Sequence, residues 1–468
     1  MAVPSLIPDD LPLKKKTMQR SIFEGGFAAP SLMLGDNYIV PFAFLLGAST
    51  LQVGILSSLA SFIAPSAQIF GARYMVFRTR KQILVRHVLA QALIWIPIIV
   101  LGCLSFYIPD FVGFPWILIG LFSLYQFFGG FMTPAWISLM GDIVPNTQRG
   151  RYFGQRNLIL TAISIIFTVG ISFGLDWLKR MDYALIGFLV IFGLALIGRA
   201  VSSISFRYHY DPPFDIDYKN HLSLPAFIRH LSQNNFGRFT IMITLLSFAQ
   251  WISVPFFAPY MLTVLNFPYS TFILVNISSA IFSLFVFKLF GKFADRFGNL
   301  KLLIFGSVFI PFIPILWAVF KNPIGLIFGV QLLSGIGWSA FNLASSNFIY
   351  DNIPISRRGE YVAYYSFIVG IGSILGGFCG SFLIQILPTV NFWNYRLIFI
   401  ISGVLRMIPM LICLPKLKEV GSIDTKMIFS LKNQPIYRYL YDIRLREKIS
   451  RKKQDLSNHD PPKILEKH

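Results

Sequence analysis

Long apolar runs alternate with short polar connectors along most of the chain. A helix needs about 20 apolar residues to cross the hydrocarbon core of a bilayer. Twelve runs of about this length predict an all-α integral membrane protein with twelve transmembrane helices and both termini on one side. The predicted spans are 22–47, 52–74, 84–107, 114–140, 155–178, 184–206, 237–264, 269–290, 301–320, 323–349, 361–387 and 394–414.

The composition agrees with a membrane protein. Charged residues make up 13% of the chain and hydrophobic residues 55%, whereas soluble proteins are about one quarter charged. The formal net charge of +20 would suit a nucleic-acid partner, but the basic residues stand in short blocks between apolar runs. We interpret these blocks as topology signals and expect no nucleic-acid partner.

The basic residues also predict the orientation. The side of the membrane that holds the termini receives 35 of the 41 Lys and Arg residues. The other side receives only Lys179, Arg180, Lys321 and Arg396. By the positive-inside rule, both termini are cytoplasmic, in a multi-pass protein of the cell membrane.

Five segments follow from this pattern: an N-terminal segment 1–20, a six-helix bundle 21–206, a linker 207–236, a second six-helix bundle 237–414 and a basic tail 415–468. The linker carries three scattered histidines without compact metal-ligand spacing, so we interpret it as a solvated connector. The tail has a helical apolar face at Ile436, Leu440 and Ile443 among basic residues. A helix lying on anionic lipid and a solvated tail both fit this tail.

The sequence contains no pattern of an enzyme. It has no GxxxxGK[ST] loop that would bind ATP, and no nucleophile and base that can be placed together. Cys103, Cys379 and Cys413 lie in apolar runs without paired spacing, which argues against a disulfide framework. We therefore expect no catalytic activity, no metal and no cofactor.

Two short elements occur twice in equivalent places. The charged connector Gly291–Lys301 shares its first glycine, a phenylalanine and its last lysine with Gly71–Lys81. Asp142–Gly150 and Asp351–Gly359 share Asp, Pro, Arg and Gly at identical offsets. The chain is therefore predicted to consist of two related halves.

On these motifs the chain resembles the major facilitator superfamily of secondary transporters, over about residues 20–415. The resemblance implies two six-helix halves related by a pseudo-two-fold axis, with substrate bound between them and alternating access by rocking of the halves. The family's antiporter signature, a Gly-Pro-Gly cluster in span five, is missing, because Thr161–Trp177 contains no proline. Proton-coupled export of drugs or metabolites is therefore kept only as an alternative.

The connectors predict gates. By the resemblance, Asp295 faces the start of span five, where Arg149, Arg151 and Arg156 lie, and we interpret the group as a latch that is closed when the protein opens outward. The alternative is that Asp295 only sets the hairpin geometry. The predicted gate residues are Glu24, Gly71, Arg78, Asp142, Arg149, Arg151, Gly291, Asp295, Arg296, Gly298, Asp351, Arg358 and Glu360.

The second copy of this latch has changed. Met75 stands in the place of Asp295, and Glu360 stands in the place of Arg151. We therefore predict a second latch of reversed polarity, in which Glu360 meets Arg73 or Arg78.

Acids inside apolar runs predict the transport site, because an ionisable group in hydrocarbon is costly without a partner or a wet cavity. Asp36 lies roughly 21 Å along the first span and is the main candidate for a coupling-ion or proton site. The alternatives for Asp36 are a buried structural pair and a place at the outer mouth, whereas Asp176 is interpreted as interfacial. By the resemblance, other candidates line the central cavity. The full candidate set is Asp36, Asn37, Gln126, Arg156, Asn157, Gln250, Trp251, Asn276, Gln331, Trp338 and Asn342.

Close packing is predicted on span eleven, where Gly372, Gly376 and Gly380 recur every four residues and clear one helix face.

The whole pattern predicts a monomeric secondary transporter, a symporter for a small-molecule substrate driven by a proton or sodium gradient. A receptor or scaffold with a transporter fold is the alternative from another class. Substrate identity, direction and coupling ion stay open at this point.

Overall fold

The computed structural model describes residues 10–109, 111–145, 148–213, 224–229, 231–353 and 358–419. Within these ranges the chain folds into twelve long helices without strands, which confirms the predicted all-α architecture. Their bounds are α1 Asp10–Leu45, α2 Thr50–Tyr74, α3 Arg80–Tyr107, α4 Phe114–Ile143, α5 Arg149–Arg180, α6 Ala184–Phe206, α7 Asn235–Val264, α8 Tyr269–Phe297, α9 Asn299–Val319, α10 Gly325–Ile349, α11 Arg358–Ile386 and α12 Trp393–Ile412.

Eleven of these helices are long and apolar enough to cross a membrane. The other one, α1, is 36 residues long and begins at Asp10, well before the predicted residue 22. Its polar first turns are held by tertiary contacts: the Tyr210 hydroxyl donates to Asp10 Oδ1 at 2.7 Å, and the Tyr210 N–H donates to Thr17 Oγ1 at 3.0 Å. The start of α1 is therefore fixed by hydrogen bonds rather than by apolar burial.

The connector between α8 and α9 is shorter than predicted. Helix α8 continues through Gly291 to Phe297, and α9 begins at Asn299. The turn is the single residue Gly298, whose φ of 94° lies in a region that favours glycine. A side chain at Gly291 would meet open space, so the predicted helix end at residue 290 is wrong and glycine is required sterically only at Gly298.

Helices α3 and α9, which hold equivalent places in the two halves, are both interrupted. In α3 the break falls at Ile94, and in α9 it falls at Ile310 and Pro311. Each break precedes a proline, Pro97 or Pro314, which cannot donate to the carbonyl four residues earlier. The repeat therefore extends to the irregularities of the helices.

The two halves, α1–α6 and α7–α12, meet mainly at one end. We call the end where α1 begins and α12 ends the basic end, and the other one the opposite end. At the opposite end a single hydrophobic core joins Phe42 and Val53 of the first half to Phe256 and Ile384 of the second. Toward the basic end each half buries its own core. The first half reaches the second core there through the partly buried Ile69 of α2, so the halves are joined mainly at the opposite end.

The predicted glycine stripe of α11 packs against α7. A Cβ atom at Gly372, Gly376 or Gly380 would lie 2.5, 2.1 or 2.3 Å from a backbone carbonyl oxygen of α7. Backbones at this separation leave no room for any side chain. The close-packing interpretation is confirmed.

Candidate substrate and gate sites

A charged cavity lies inside the first half. It has a volume of about 230 Å³ and is enclosed by α1, α3, α4, α5 and α6. Glu24, Arg156 and Arg199 line it together with the indole of Trp136. Glu24, one of the predicted gate residues, thus lies in the wall of this cavity.

Glu24 and Arg156 form a buried ion pair. Their side chains are 3% and 9% exposed, and Arg156 Nη2 lies 3.5 Å from Glu24 Oε2. Arg156 Nε donates to the carbonyl and the hydroxyl oxygen of Ser21, at 3.3 and 3.2 Å, while its guanidinium lies 5.0 Å from the centre of the Trp136 ring. The second carboxylate oxygen of Glu24 accepts from Ser202 Oγ at 2.5 Å.

Arg199 is a site residue that sequence reasoning missed. It is 2% exposed, and its Nε and Nη2 atoms donate to Gln91 Oε1 at 2.9 and 2.5 Å. Its Nη1 atom donates to Ser202 Oγ at 3.5 Å, so Ser202 connects Arg199 to Glu24. The available signal was an arginine in the middle of an apolar run, repeated in the second half as Arg406.

Asp36 continues the cavity face of α1. Gly25, Ala29 and Leu32 line the cavity, and Asp36 follows Leu32 by one helical turn on the same face. Its side chain is exposed. The neighbouring Gly35 packs against α3 and α4, so Asp36 is accessible while its helix is held inside the bundle.

Two other predicted candidates of the first half lie differently. The Asn37 amide donates to the Met33 carbonyl of its own helix at 2.9 Å, and Asn157 is exposed on α5 outside the lining of the cavity. Gln126 is half-buried. As ligand-binding candidates, these three amides stay a prediction.

A neutral cavity of about 400 Å³ lies in the second half. Three predicted residues, Gln250, Trp338 and Asn342, line it together with Tyr365. Trp251 and Asn276 are half-buried outside its described lining. Gln331 is buried and donates to the Val275 carbonyl at 2.8 Å, so this amide joins α10 to α8 instead of facing the cavity.

Arg406 stands behind this neutral cavity and is 2% exposed. Its guanidinium donates to Ser253 Oγ at 2.9 Å and to the Ile310 carbonyl at 3.4 Å. Because Pro314 cannot donate to that carbonyl, the break in α9 leaves the oxygen free for Arg406. Among the described residues, Arg406 Nε has no acceptor.

Two acids hold the start of α3 at the basic end. Arg80 is 1% exposed and forms ion pairs with Asp142 and with Asp211, whose Oδ1 atom lies 2.9 Å from Arg80 Nε. The second oxygen of Asp211 accepts from the Lys81 N–H at 3.0 Å. The segment after α6 is thereby bound to the α2–α3 hairpin, and we call Arg80, Asp142 and Asp211 the first clasp.

The second half repeats this arrangement at the start of α9. Asp351 accepts from the Asn299 amide at 2.8 Å. The two oxygens of Glu419 accept from the N–H groups of Asn299 and Leu300 at 3.0 and 2.7 Å. We call Asn299, Asp351 and Glu419 the second clasp. The repeated acids Asp142 and Asp351 thus bind within their own halves, while Arg80, Asp211 and Glu419 were not foreseen.

The predicted cross-half latch is not closed in the described part of the chain. Asp295, Arg151 and Arg78 are exposed, and Asp295 forms no ion pair with any described side chain. Arg296 lies over Phe297 at 5.1 Å. The side chains of Arg149, Arg358 and Glu360 lie outside the described residues, so the latch of reversed polarity stays a prediction.

Gly71, another residue of the predicted gate, has a packing role in the structure. A Cβ atom there would lie 1.8 Å from the Phe131 carbonyl oxygen. This glycine allows α2 and α4 to approach within one half.

Asp176 joins the two halves at the opposite end. Its two oxygens accept from the N–H groups of Tyr269 and Ser270 at 2.7 and 2.8 Å, which caps the first turn of α8. Asp176 is 8% exposed, and Lys179 Nζ lies 4.9 Å from the centre of the Tyr269 ring. The residue interpreted as interfacial is therefore a contact between halves.

Two related six-helix halves, each with its own cavity and joined at one end, define a membrane transport protein. The model of the Major Facilitator Superfamily matches residues 26–320 and 239–427. The chain belongs to this superfamily, as its motifs predicted.

Known proteins agree with this assignment. An MFS-type transporter of Methanocaldococcus jannaschii is 24% identical over 411 residues, which cover 83% of this chain and 97% of the relative. A variant of the nucleoside transporter NupG has a TM-score of 0.64 at 13% identity, over 86% of this chain and 100% of the other. An inward-facing bacterial homologue of the iron transporter ferroportin has a TM-score of 0.60 at 17% identity, over 86% and 98%. At these identities the two structures establish the fold alone.

Proposed function

We propose that this protein is a secondary active transporter that moves a small solute by alternating access, as a symporter driven by a proton or sodium gradient. The supporting observation is the asymmetry of its two ends. One core joins the halves at the opposite end, and separate cores lie at the basic end. A transporter with its substrate between two halves must close one end while the other is open.

The orientation follows from the basic residues. If the basic end is cytoplasmic, as the positive-inside rule predicts, the described conformation is open to the cytoplasm of a cell whose plasma membrane holds the protein. Anionic lipid at that face would attract the basic connectors. We propose that the protein acts as a monomer, because one chain supplies both halves that alternating access requires.

The helix pair α5 and α8 supports a specific gate. In the described conformation, the acid near the end of α5, Asp176, caps the start of α8. The acid near the end of α8, Asp295, is exposed and is available to cap the start of α5 beside Arg151. We assign the first contact to the inward-open state and the second to the outward-open state.

Spin labels at the two ends test alternating access. One pair at Arg151 and Arg296 reports the basic end, and a second pair at Thr50 and Asn391 reports the opposite end. In lipid nanodiscs, a change of pH or sodium concentration should shorten one distance and lengthen the other. Distances that stay single and fixed under all conditions would favour the receptor or scaffold.

Transport itself is tested by counterflow in liposomes. Solutes that stabilise the purified protein are loaded unlabelled, and uptake of external labelled solute is followed. Transient accumulation above the external concentration identifies a transporter. Binding without any counterflow identifies the receptor. Acceleration of efflux by an inward proton gradient would favour the exporter alternative.

A further inference from the structure

The cavity of the first half carries an excess of positive charge. Two guanidiniums, those of Arg156 and Arg199, line it with the one carboxylate of Glu24. All three side chains are less than one tenth exposed. Buried charges are costly unless they are paired with an opposite charge. The described lining therefore leaves one positive charge that needs a negative charge from outside the lining.

Arg156 is the guanidinium with free capacity toward the cavity. Its Nε atom is used by Ser21, but its terminal nitrogens meet only Glu24 among the described acceptors, at 3.5 Å. Charge-assisted hydrogen bonds of this kind are normally about 2.7–2.9 Å long. The pair is therefore loose, and a planar fork of N–H donors faces the cavity.

Arg199 has a different position in the same cluster. Two of its nitrogens donate to the Gln91 amide oxygen, and the third donates to the Ser202 hydroxyl. Its hydrogen bonds are thus used within the protein, while its charge remains. Arg199 contributes positive potential behind the site without contacting a ligand.

Glycine at position 25 gives Arg156 its place. A Cβ atom there would lie 2.8 Å from Arg156 Nη2 and 2.5 Å from Leu160. The guanidinium lies directly against the backbone of α1, between Gly25 and the Trp136 ring. This packing fixes the direction in which the free N–H groups point.

We propose that this cavity binds an oxyanion group of the transported substrate, a carboxylate or a phosphate, and that Arg156 contacts it directly. Glu24 occupies the place of this group when the cavity is empty and competes with it. Arg199 and Gln91 are positioning residues. The proposal rests on the proposed transport function and names the substrate as an anion with one small charged group, in keeping with the cavity volume of about 230 Å³.

Thermal unfolding of the full-length protein in lipid nanodiscs tests this site. The probes are sodium lactate, succinate and phosphate, each against sodium chloride of equal ionic strength and against uncharged propane-1,2-diol. At least one oxyanion should raise the Tm above both controls. Arg156→Gln should remove this effect, whereas Arg180→Gln, an exposed change on the same helix, should keep it.

Glu24→Gln separates a ligand site from a folding defect. Removal of the competing carboxylate should tighten oxyanion binding about tenfold, a gain that misfolding cannot produce. Arg156→Lys should keep weaker binding, because it retains the charge but loses the fork. If no oxyanion stabilises either the wild type or Glu24→Gln, or if Arg156→Gln binds as tightly as the wild type, the proposal is wrong.

The outcome is independent of the transport assay. Oxyanion binding without counterflow would leave this site standing and overturn the proposed transport function. Counterflow of an uncharged solute that survives Arg156→Gln would support the proposed transport function and overturn the oxyanion site.

Discussion

The two halves share a scaffold but differ in their cavities. Each half has a buried arginine on its last helix, Arg199 or Arg406, and a clasp at the basic end. The first cavity contains Glu24 and Arg156, whereas the described lining of the second is uncharged, with Gln250 among its residues. The repeat therefore preserves how each half is held together, while the chemistry offered to a ligand has diverged.

The largest effect is expected from the charged cavity. Arg156→Ala should lower the initial rate of transport into liposomes at least about 100-fold, because the guanidinium proposed to bind the oxyanion of the substrate is lost. Gln250→Ala in the neutral cavity should cost only about tenfold, the scale of one neutral hydrogen bond. Equal losses in both variants would contradict the division between the halves.

The two buried arginines should differ in their contribution to stability. Arg199→Met should cost about 2–4 kcal/mol, because it strands the Gln91 amide oxygen, which accepts from two of its nitrogens, and removes a donor to Ser202. Arg406→Met should cost about 1–3 kcal/mol, since it strands mainly the Ile310 carbonyl and the Ser253 hydroxyl. Unfolding in detergent compares them. A larger loss for Arg406→Met would mean that the stability contribution of these arginines is not set by the hydrogen-bond partners that each one leaves unpaired.

A smaller effect is expected at the contact between the halves. Asp176→Asn weakens the cap on α8 by about 1 kcal/mol, which corresponds to about a fivefold shift toward opening of the opposite end. Maleimide labelling of a cysteine at Ser381, after replacement of the three native cysteines, measures this opening. Asp182→Asn changes an exposed acid two residues beyond α5 and should leave the labelling rate unchanged.

The smallest effect concerns pH and His209, which lies beyond the end of α6 next to the first clasp. Burial lowers the pKa of His209 below its usual value, and the positive charges of Arg20 and Lys81 act in the same direction. The unfolded chain therefore binds a proton more readily as the pH falls below about 6.5, which reduces the free energy of unfolding.

His209→Gln should flatten the loss of stability between about pH 6.5 and 5. Segment 413–419, which reaches the second clasp, contains no histidine, so this pH dependence should belong to the first half alone. The Tm of both proteins across this range provides the measurement. Parallel curves for wild type and variant would exclude His209 as the source.

The sequence predicted the helices and their duplication well, because run length and repeated motifs are local properties. It misplaced the start of α1 and the end of α8, since Asp10 is held by a distant tyrosine and Gly291 is an ordinary helical position. The type of a polar residue also does not give its direction. Asn342 faces a cavity, whereas Gln331 binds a carbonyl of the adjacent helix.

The missed residues share a physical reason. Asp176 and Glu419 bind backbone groups more than ninety positions away in the sequence, and backbone N–H groups carry no residue type that could mark them as partners. Arg80 looked like one member of a basic block, although its two acids make it a buried anchor. Pairings of this kind emerge only when the helices are assembled.

The cap on α8 also bears on the energy landscape of the transport cycle. A symporter cycles rapidly only if its two end states have similar free energies, so neither may be held by a much stronger set of bonds. Asp176 and Asp295 lie at opposite ends of one antiparallel helix pair and can offer the same type of bond, a carboxylate to the first N–H groups of a helix. Exchange of one such bond for its equivalent would keep the two wells close to equal depth, whatever the substrate.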